Sequence, residues 1–279
     1  MHLRLQLLII MGEFSSPPFF SPPFSAPTTQ PIIMSLYTFR HRDHSSDLRK
    51  DQTQFCNHPD QMADIKVPAG LEIRESADIE LLARLGEVSK EEVMRRLVND
   101  HLAFVAFLNG VPAAFGWMAR GKASIGELNH TMILPIGHRY LWNFRTIAEF
   151  RGQGIYPALL QYILRYEGTK ARQFWIIHAP ENQSSLRGII KAGFHYVGKL
   201  YTDHNGEAVL EATDEAHRHR SAIEYMDIRL SDDDAASCWN CTSPYLKKRK
   251  AECCCDAKGN ECSGTIYLPE SMAFPVQPL

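Results

Sequence analysis

The sequence contains no run of eighteen apolar residues in its 279, so no segment reads as a helix spanning a bilayer. Net charge is nearly absent. Thirty Lys and Arg face 32 Asp and Glu, leaving −2, which offers nucleic acid no bulk electrostatic attraction. No repeat recurs along the chain, which excludes solenoids and propellers. No glycine-rich loop ends in Gly-Lys-Ser/Thr, so a Walker A nucleotide site is excluded. Cysteine is scarce until the end: Cys56 is followed by none before Cys238, and six of the seven fall between Cys238 and Cys262. Neither a membrane nor a nucleic acid is an expected partner, and the cytoplasm is the expected compartment.

Against these absences, 44% hydrophobic residues are ample for a buried core. Leu5 to Met11 form a short apolar run after His2 and Arg4, with no small-residue cleavage site directly behind it. Pro17, Pro18, Pro22, Pro23, Pro27 and Pro31 then punctuate a Ser- and Phe-rich stretch that cannot make a helix or interior strand. More ordinary sequence begins at Met34, an alternative start, but Arg40 to Asp64 is polar and aperiodic. Residues 1–68 are therefore expected to be a disordered, Pro-rich arm. Residues 69–230 read as the folded domain, and 231–279 as a Cys-rich tail.

Within the domain, Leu71–Arg74 suits a strand. Ser76 offers a cap for a helix through Leu85, and Ser89-x-x-Glu92 is a capping box for a second. Leu102–Leu108 and Val111–Met118 flank Asn109-Gly110, a strong hairpin signal. Ile125–Met132 is expected as a third strand after the helices, Tyr140–Thr146 as a fourth, Arg172–His178 as a fifth, His195–Tyr201 as a sixth and Ile223–Ile228 as a seventh.

The most informative segment is Phe150-Arg151-Gly152-Gln153-Gly154-Ile155-Tyr156-Pro157, which runs into the apolar Ala158–Leu164. Two glycines permit a tight loop, and Pro157 suits a first helical turn. Such a helix start gathers free N–H groups and about half a positive charge, a seat for phosphate. A Rossmann loop would need glycine where Pro157 stands. The pattern Arg/Gln-x-x-Gly-x-Gly/Ala fits Arg151 and Gly154, and breaks at Tyr156. Further on, Phe174–His178 reads as a strand, Asn182 as a helix N-cap, and Gly193-Phe194 as the helix end and next strand start.

These two blocks, in this order and spacing, resemble the GNAT N-acetyltransferase superfamily over residues 69 to 230. The resemblance implies an α/β (α+β) fold: a mixed, mostly antiparallel sheet of six or seven strands flanked by helices, with two splayed central parallel strands. Acyl-CoA would lie in the gap. Phe144, Arg145 and Thr146 would offer backbone groups to the pantetheine arm, the amides of Gly152, Gln153, Gly154, Ile155 and Tyr156 would surround the pyrophosphate, Arg151 would add charge, and Asn182 would touch the arm. The implied function is transfer of an acetyl group from acetyl-CoA to a primary amine by direct attack. The implied alternative is a weak or inactive domain that binds acyl-CoA or a protein partner.

Such a transfer needs a base, because an amine near pKa 10.4 arrives protonated, and a donor for the developing oxyanion. Glu127, on the third strand, and His178, at the end of the fifth, are the candidate bases; His130 and Glu149 have weaker cases. Two residues depart from the family pattern. Tyr156 occupies a Gly/Ala position, and Ile189 stands where many members carry a Tyr that protonates the leaving thiolate. Tyr162 and Tyr196 are the substitutes in view. In the tail, Cys238 and Cys241 with Cys253 and Cys255 would suit tetrahedral zinc. Their spacing and the triple cysteine match no standard ribbon, so reduced thiols are the leading expectation and no metal is expected in the chemistry.

Overall fold

A computed structural model describes residues 33–41, 60–179, 182–203, 205–211 and 222–231. The cysteine tail, including Cys238, Cys241, Cys253 and Cys255, lies outside the described residues. So does the Pro-rich stretch.

Among the described residues, strands and helices follow one another as β1 (Ile33–Arg40), β2 (Leu71–Ser76), α1 (Ile79–Gly86), α2 (Lys90–Val98), β3 (His101–Leu108), β4 (Val111–Ala119), β5 (Lys122–Ile125), β6 (His130–Ile133), β7 (His138–Thr146), α3 (Ile155–Glu167), β8 (Gln173–His178), α4 (Gln183–Ala192), β9 (His195–Thr202), β10 (Ala208–Glu211) and β11 (Arg229–Ser231). Nine of the strands form one sheet in the order β11-β10-β9-β1-β8-β7-β4-β3-β2, and β5 pairs with β6 in a separate ribbon. The main sheet is mostly antiparallel; among the described residues only β7–β8 and β10–β11 run parallel. This is the mixed, helix-flanked sheet the sequence implies, with β1 and the β10–β11 edge adding to the strand count.

Local chemistry explains the element ends. Asn109 and Gly110 both take positive φ, at 50° and 80°, as a two-residue type I′ turn requires. Ser89 Oγ accepts the Glu92 amide at 3.2 Å, the expected cap of α2. α1 is capped by Asp78, which accepts from Leu81 N, and not by Ser76. Ser76 still pairs with Ala103 as the last residue of β2, so the helix can begin only after the chain has left the sheet. Gly193 closes α4 at φ 102°, a conformation that side chains with a Cβ rarely adopt.

Three expectations are corrected. Residues Ile33–Arg40, assigned to the arm, form β1 in the middle of the sheet, pairing antiparallel with β8 on one side and β9 on the other. Its alternation of Leu36 against Tyr37 and Phe39 feeds both sheet faces, so the strand is held by burial on both sides. Ile125–Met132 is no single strand: Gly126–Leu128 makes a 3-10 turn, and Asn129 takes φ 47°. That turn folds the segment into the β5–β6 ribbon. In the stretch expected as a seventh strand, residues 222–226 are helical, and the chain rejoins the sheet only at β11.

The sheet is covered on both faces. On one, α3 and α4 pack Ile155, Leu159, Ile163 and Ile189 over Phe104, Leu141, Phe174 and Ile176. On the other, α1 and α2 cover Phe115 and Trp117, while the β5–β6 ribbon and residues 222–226 cover Tyr140, Trp175 and Leu200. The far end of α3 is pinned by a buried carboxylate. Glu167 accepts from Arg120 Nη2 at 2.6 Å and Arg139 Nε at 2.7 Å, which ties the helix C-terminus to the start of β7. Its N-terminus therefore lies over the opposite half of that strand.

Candidate active site

β7 and β8 pair from His138↔Gln173 to Leu141↔Ile176 and no further. β7 nevertheless runs on to Thr146, still bonded to β4 through Phe115↔Arg145 and Ala114↔Thr146. Between Trp142 and Arg145 it carries two residues opposite the single Gly116 of β4. The extra residue makes a β-bulge, and Asn143 takes it at φ 51°. Bulges bend a strand and increase its local twist. Here the bend coincides with the point where β7 leaves β8, so the edge of Phe144–Thr146 turned toward β8 has no strand partner among the described residues.

The turn after Thr146 leads to the glycine loop. Arg151 folds back, its Nε donating to Thr146 O at 3.1 Å, and Gln153 Nε2 donates to Glu149 O at 3.3 Å. Both side chains brace the turn from behind. Gly152 and Gly154 take φ 76° and 78°, and Gly154 is the residue before α3. Among the described residues, the amides of Gly152, Gln153, Gly154, Ile155 and Tyr156 have no hydrogen-bond acceptor. A Cβ on Gly152 would meet no described atom within 4 Å. Consecutive unbonded amides at a helix N-terminus, open on one side, fit a diphosphate.

Tyr156 does not crowd this loop. Its ring turns away, 5.5 Å from the Phe144 ring and against Gly188 of α4. Its hydroxyl lies 3.3 Å from Ser185 Oγ, and burial raises its pKa well above that of a free phenol. Phe144 in turn covers Gly116, where a Cβ would fall 2.1 Å from its ring. Arg145 reaches Glu87 at 2.8 Å and holds that carboxyl below the usual range. Asn182 caps α4, its Oδ1 accepting from Ser185 N at 3.0 Å.

The two candidate bases are separated. Glu127 is exposed on the 3-10 turn between β5 and β6, away from the main-sheet position expected for it. His178 ends β8, on the α3 face, with 5% exposure. Its Nδ1 lies 2.8 Å from Ala179 O. A carbonyl only accepts, so Nδ1 carries the hydrogen and Nε2 the lone pair. Nε2 is buried and has no partner among the described residues. Burial lowers the pKa of this ring, against the opposing pull of the Ala179 carbonyl, so it is neutral near pH 7. Of the other histidine in view, His130 Nε2 lies 2.7 Å from Met226 O in a structural contact.

The Tyr37 ring of β1 lies tilted 5.3 Å from that of His178, and Tyr196 of β9 lies 5.4 Å from Tyr37. Burial pushes the Tyr37 phenol up to about 12 and raises that of Tyr196 as well. Tyr162, by contrast, packs beside Phe104 and Tyr166 on the far side of α3. Ile189 is fully buried in the core. Sequence reasoning missed Tyr37, Asn143 and Gly188. The alternation of Met34 and Leu36 on one face with Tyr37 and Phe39 on the other carried the signal for β1; nothing local marked the other two.

No family model and no curated protein matches the chain. Solved structures similar to it include a GCN5-related N-acetyltransferase from Kribbella flavida, with 14% identity over 59% of this chain and 54% of that one, at TM-score 0.39. A GNAT-family acetyltransferase from Colwellia psychrerythraea shares 15% over 60% and 54%, at 0.36. An acetyltransferase of the same family from Novosphingobium aromaticivorans shares 13% over 63% and 67%, at 0.40. The chain thus spans about half the length of the first two. These three solved structures are described as GNAT-family or GCN5-related acetyltransferases, and another similar one, from Staphylococcus epidermidis, is described as functionally unknown.

Proposed function

We propose that the protein moves an acetyl group from acetyl-CoA to a primary amine by direct attack, in the cytoplasm and without metal in the chemistry. The observation that supports this most is the parting of β7 from β8 at the Asn143 bulge, beside five amides that have no acceptor. The loop from Gly152 to Tyr156 holds the diphosphate through main-chain N–H groups, and Arg151 swings from Thr146 to add charge. The unpaired edge of Phe144, Arg145 and Thr146 bonds the pantetheine arm as a further strand would, with Asn182 on the opposite bank. His178 Nε2 takes a proton from the acceptor ammonium. The amine nitrogen then bonds to the acetyl carbon, the carbon–sulfur bond breaks, and the sulfur leaves with a proton. Tyr196, whose ring lies 5.4 Å from the Tyr37 ring that packs beside His178, replaces the donor that Ile189 cannot be. Glu127, exposed on its turn, has the weaker case as base.

One observation favours a second reading, a domain that binds acyl-CoA without turnover: Ile189, which has no hydroxyl to donate, is sealed in the core. Thermal stabilisation by acetyl-CoA is expected under both readings. Release of free thiol with a panel of amines is expected only under the first, and its absence across the panel leaves the second standing.

A further inference from the structure

Residues 60–68, expected in the arm, form a strap along α3. Asp60 anchors one end: its amide donates to Arg40 O, and its carboxylate accepts from Arg40 N, both at 2.9 Å. The chain then crosses the end of α4, where a Cβ on Gly193 would fall 2.7 Å from Gln61 O. Arg165 Nη1 lies 3.8 Å from Met62 Sδ. Gln161, only 3% exposed, donates from Nε2 to Ala63 O at 2.7 Å. Lys66 O comes within 3.2 Å of the position a Gly154 Cβ would take. Arg165, Gln161 and Gly154 are spaced by four and seven positions, so they share one side of α3. An extended chain from Ala63 to Lys66 covers about 10 Å, which is also about the rise of the helix between Gln161 and Gly154. The strap therefore runs antiparallel to α3 and reaches its N-terminus.

This course brings one lysine to the glycine loop. Lys66 is exposed and makes no ion pair among the described residues; neither does Asp64, the carboxylate two positions before it. The cations on the β7 side are engaged, Arg145 with Glu87 and Arg151 with Thr146 O. The amides from Gly152 to Tyr156 supply only partial charge, whereas a phosphate group carries full negative charge. The seat is more than a helix start. β7 has parted from β8 beside it, and His178 at the end of β8 keeps a buried nitrogen with no partner among the described residues. An ammonium on a flexible four-carbon stem, rooted against the middle residue of the loop, can reach a phosphate that those amides hold.

We infer, on the acyl-CoA reading of the loop, that Lys66 is a further binding residue for that ligand, its ammonium paired with a phosphate of the nucleotide end. The strap is the element that brings it there. Gln161 is a positioning residue that acts through Ala63. The cofactor site thus takes a cation from a segment outside residues 69–230.

The test is calorimetric titration of the full-length protein at low salt with acetyl-CoA and with its dephospho analogue, which lacks the 3′-phosphate. Lys66→Gln is expected to weaken acetyl-CoA binding about 5-fold, the upper range for an exposed ion pair. Lys66→Arg should retain affinity, and the difference should fade at about 1 M salt. An equal loss with both ligands supports pairing with the diphosphate; a loss with acetyl-CoA alone supports pairing with the 3′-phosphate. Gln161→Met should also weaken binding, and that loss should vanish in the Lys66→Gln background. Lys66 is exposed, so its variant decides the matter even where Gln161→Met fails to fold. Lys122→Gln, an exposed lysine on the separate β5–β6 ribbon, should change nothing. Wild-type affinity in Lys66→Gln, or an equal loss in Lys122→Gln, overturns the inference and leaves the loop as the binding site. A wild-type protein that does not bind acetyl-CoA sinks the acyl-CoA reading, and the role of Lys66 with it.

Discussion

Tyr156 and Gly188 are a matched pair: a Cβ on Gly188 would fall 2.2 Å from Tyr156 Cδ1. The pairing explains how a large residue stands at a position where the resemblance expects Gly or Ala. The ring is accommodated in α4, and the amide stays with the loop. Gly188→Ala should therefore destabilise the fold by about 1–3 kcal/mol, the usual cost of overpacking. Tyr156→Ala on top of it should recover part of that loss. Denaturant melts of both variants measure this, and an unaffected Gly188→Ala protein would show that the ring does not sit there.

Gly154→Asp should abolish binding of acetyl-CoA. Gly154 has φ 78°, and a Cβ there would approach Lys66 O at 3.2 Å, so the loop is strained and gains a carboxylate beside the amides. Calorimetric titration with acetyl-CoA reads the loss directly. Wild-type affinity in this variant would remove the loop from the binding site.

At the bulge, Asn143→Gly should leave stability about unchanged, whereas Asn143→Val should cost about 1–2 kcal/mol. The residue sits at φ 51°, where glycine is free, asparagine is tolerated and a β-branched side chain is not. The Val variant should also weaken acetyl-CoA binding, because the bulge carries the divergence of β7. Equal melting of the two variants would mean that the left-handed turn is not retained.

His178→Gln should lower thiol release by about 10²–10⁴-fold, the range for a lost general base, with acetyl-CoA stabilisation retained. The pH profile of the wild type carries a second signature. A base must be unprotonated, and burial lowers the pKa of His178, so the acidic limb should lie below the ordinary histidine value of about 6.5. A limb at or above that value argues for another base.

Acid should destabilise the protein through His138, which accepts the Trp175 indole hydrogen at Nδ1 and whose pKa burial lowers to about 4. Below about pH 6.5 the unfolded chain binds a proton that the folded one does not, so stability falls as pH drops from about 6.5 to about 4 and is complete above that window. For a ring 3% exposed, the loss approaches about 3 kcal/mol at the acid end. Melting temperature against pH, with His138→Gln flattening the slope, checks it.

Much of the fold was legible because its signals are local. Asn109-Gly110, the Ser89 cap, the Asn182 cap and the Gly193 stop each satisfy a backbone requirement within four residues. The loop from Arg151 to Pro157 was readable for the same reason: two glycines and a helix start announce free amides whatever surrounds them. Ile125–Met132 was misread because Asn129 can enter the left-handed region as readily as it can extend, and only the packing of Leu128 and Met132 under the sheet decided between them.

The sequence by itself determined where most helices start and stop, which strands turn on which residues, and that unbonded backbone amides gather before α3. Tertiary structure alone decided that β1 lies between β8 and β9, that β7 bulges away from β8 at Asn143, and that Tyr156 sits against Gly188. It also laid residues 60–68 along α3, with Lys66 against Gly154. These are contacts between residues up to 168 positions apart, as Ile33 with Tyr201 across β1 and β9, and they are selected by burial across the sheet, an energy that no local window of the chain contains.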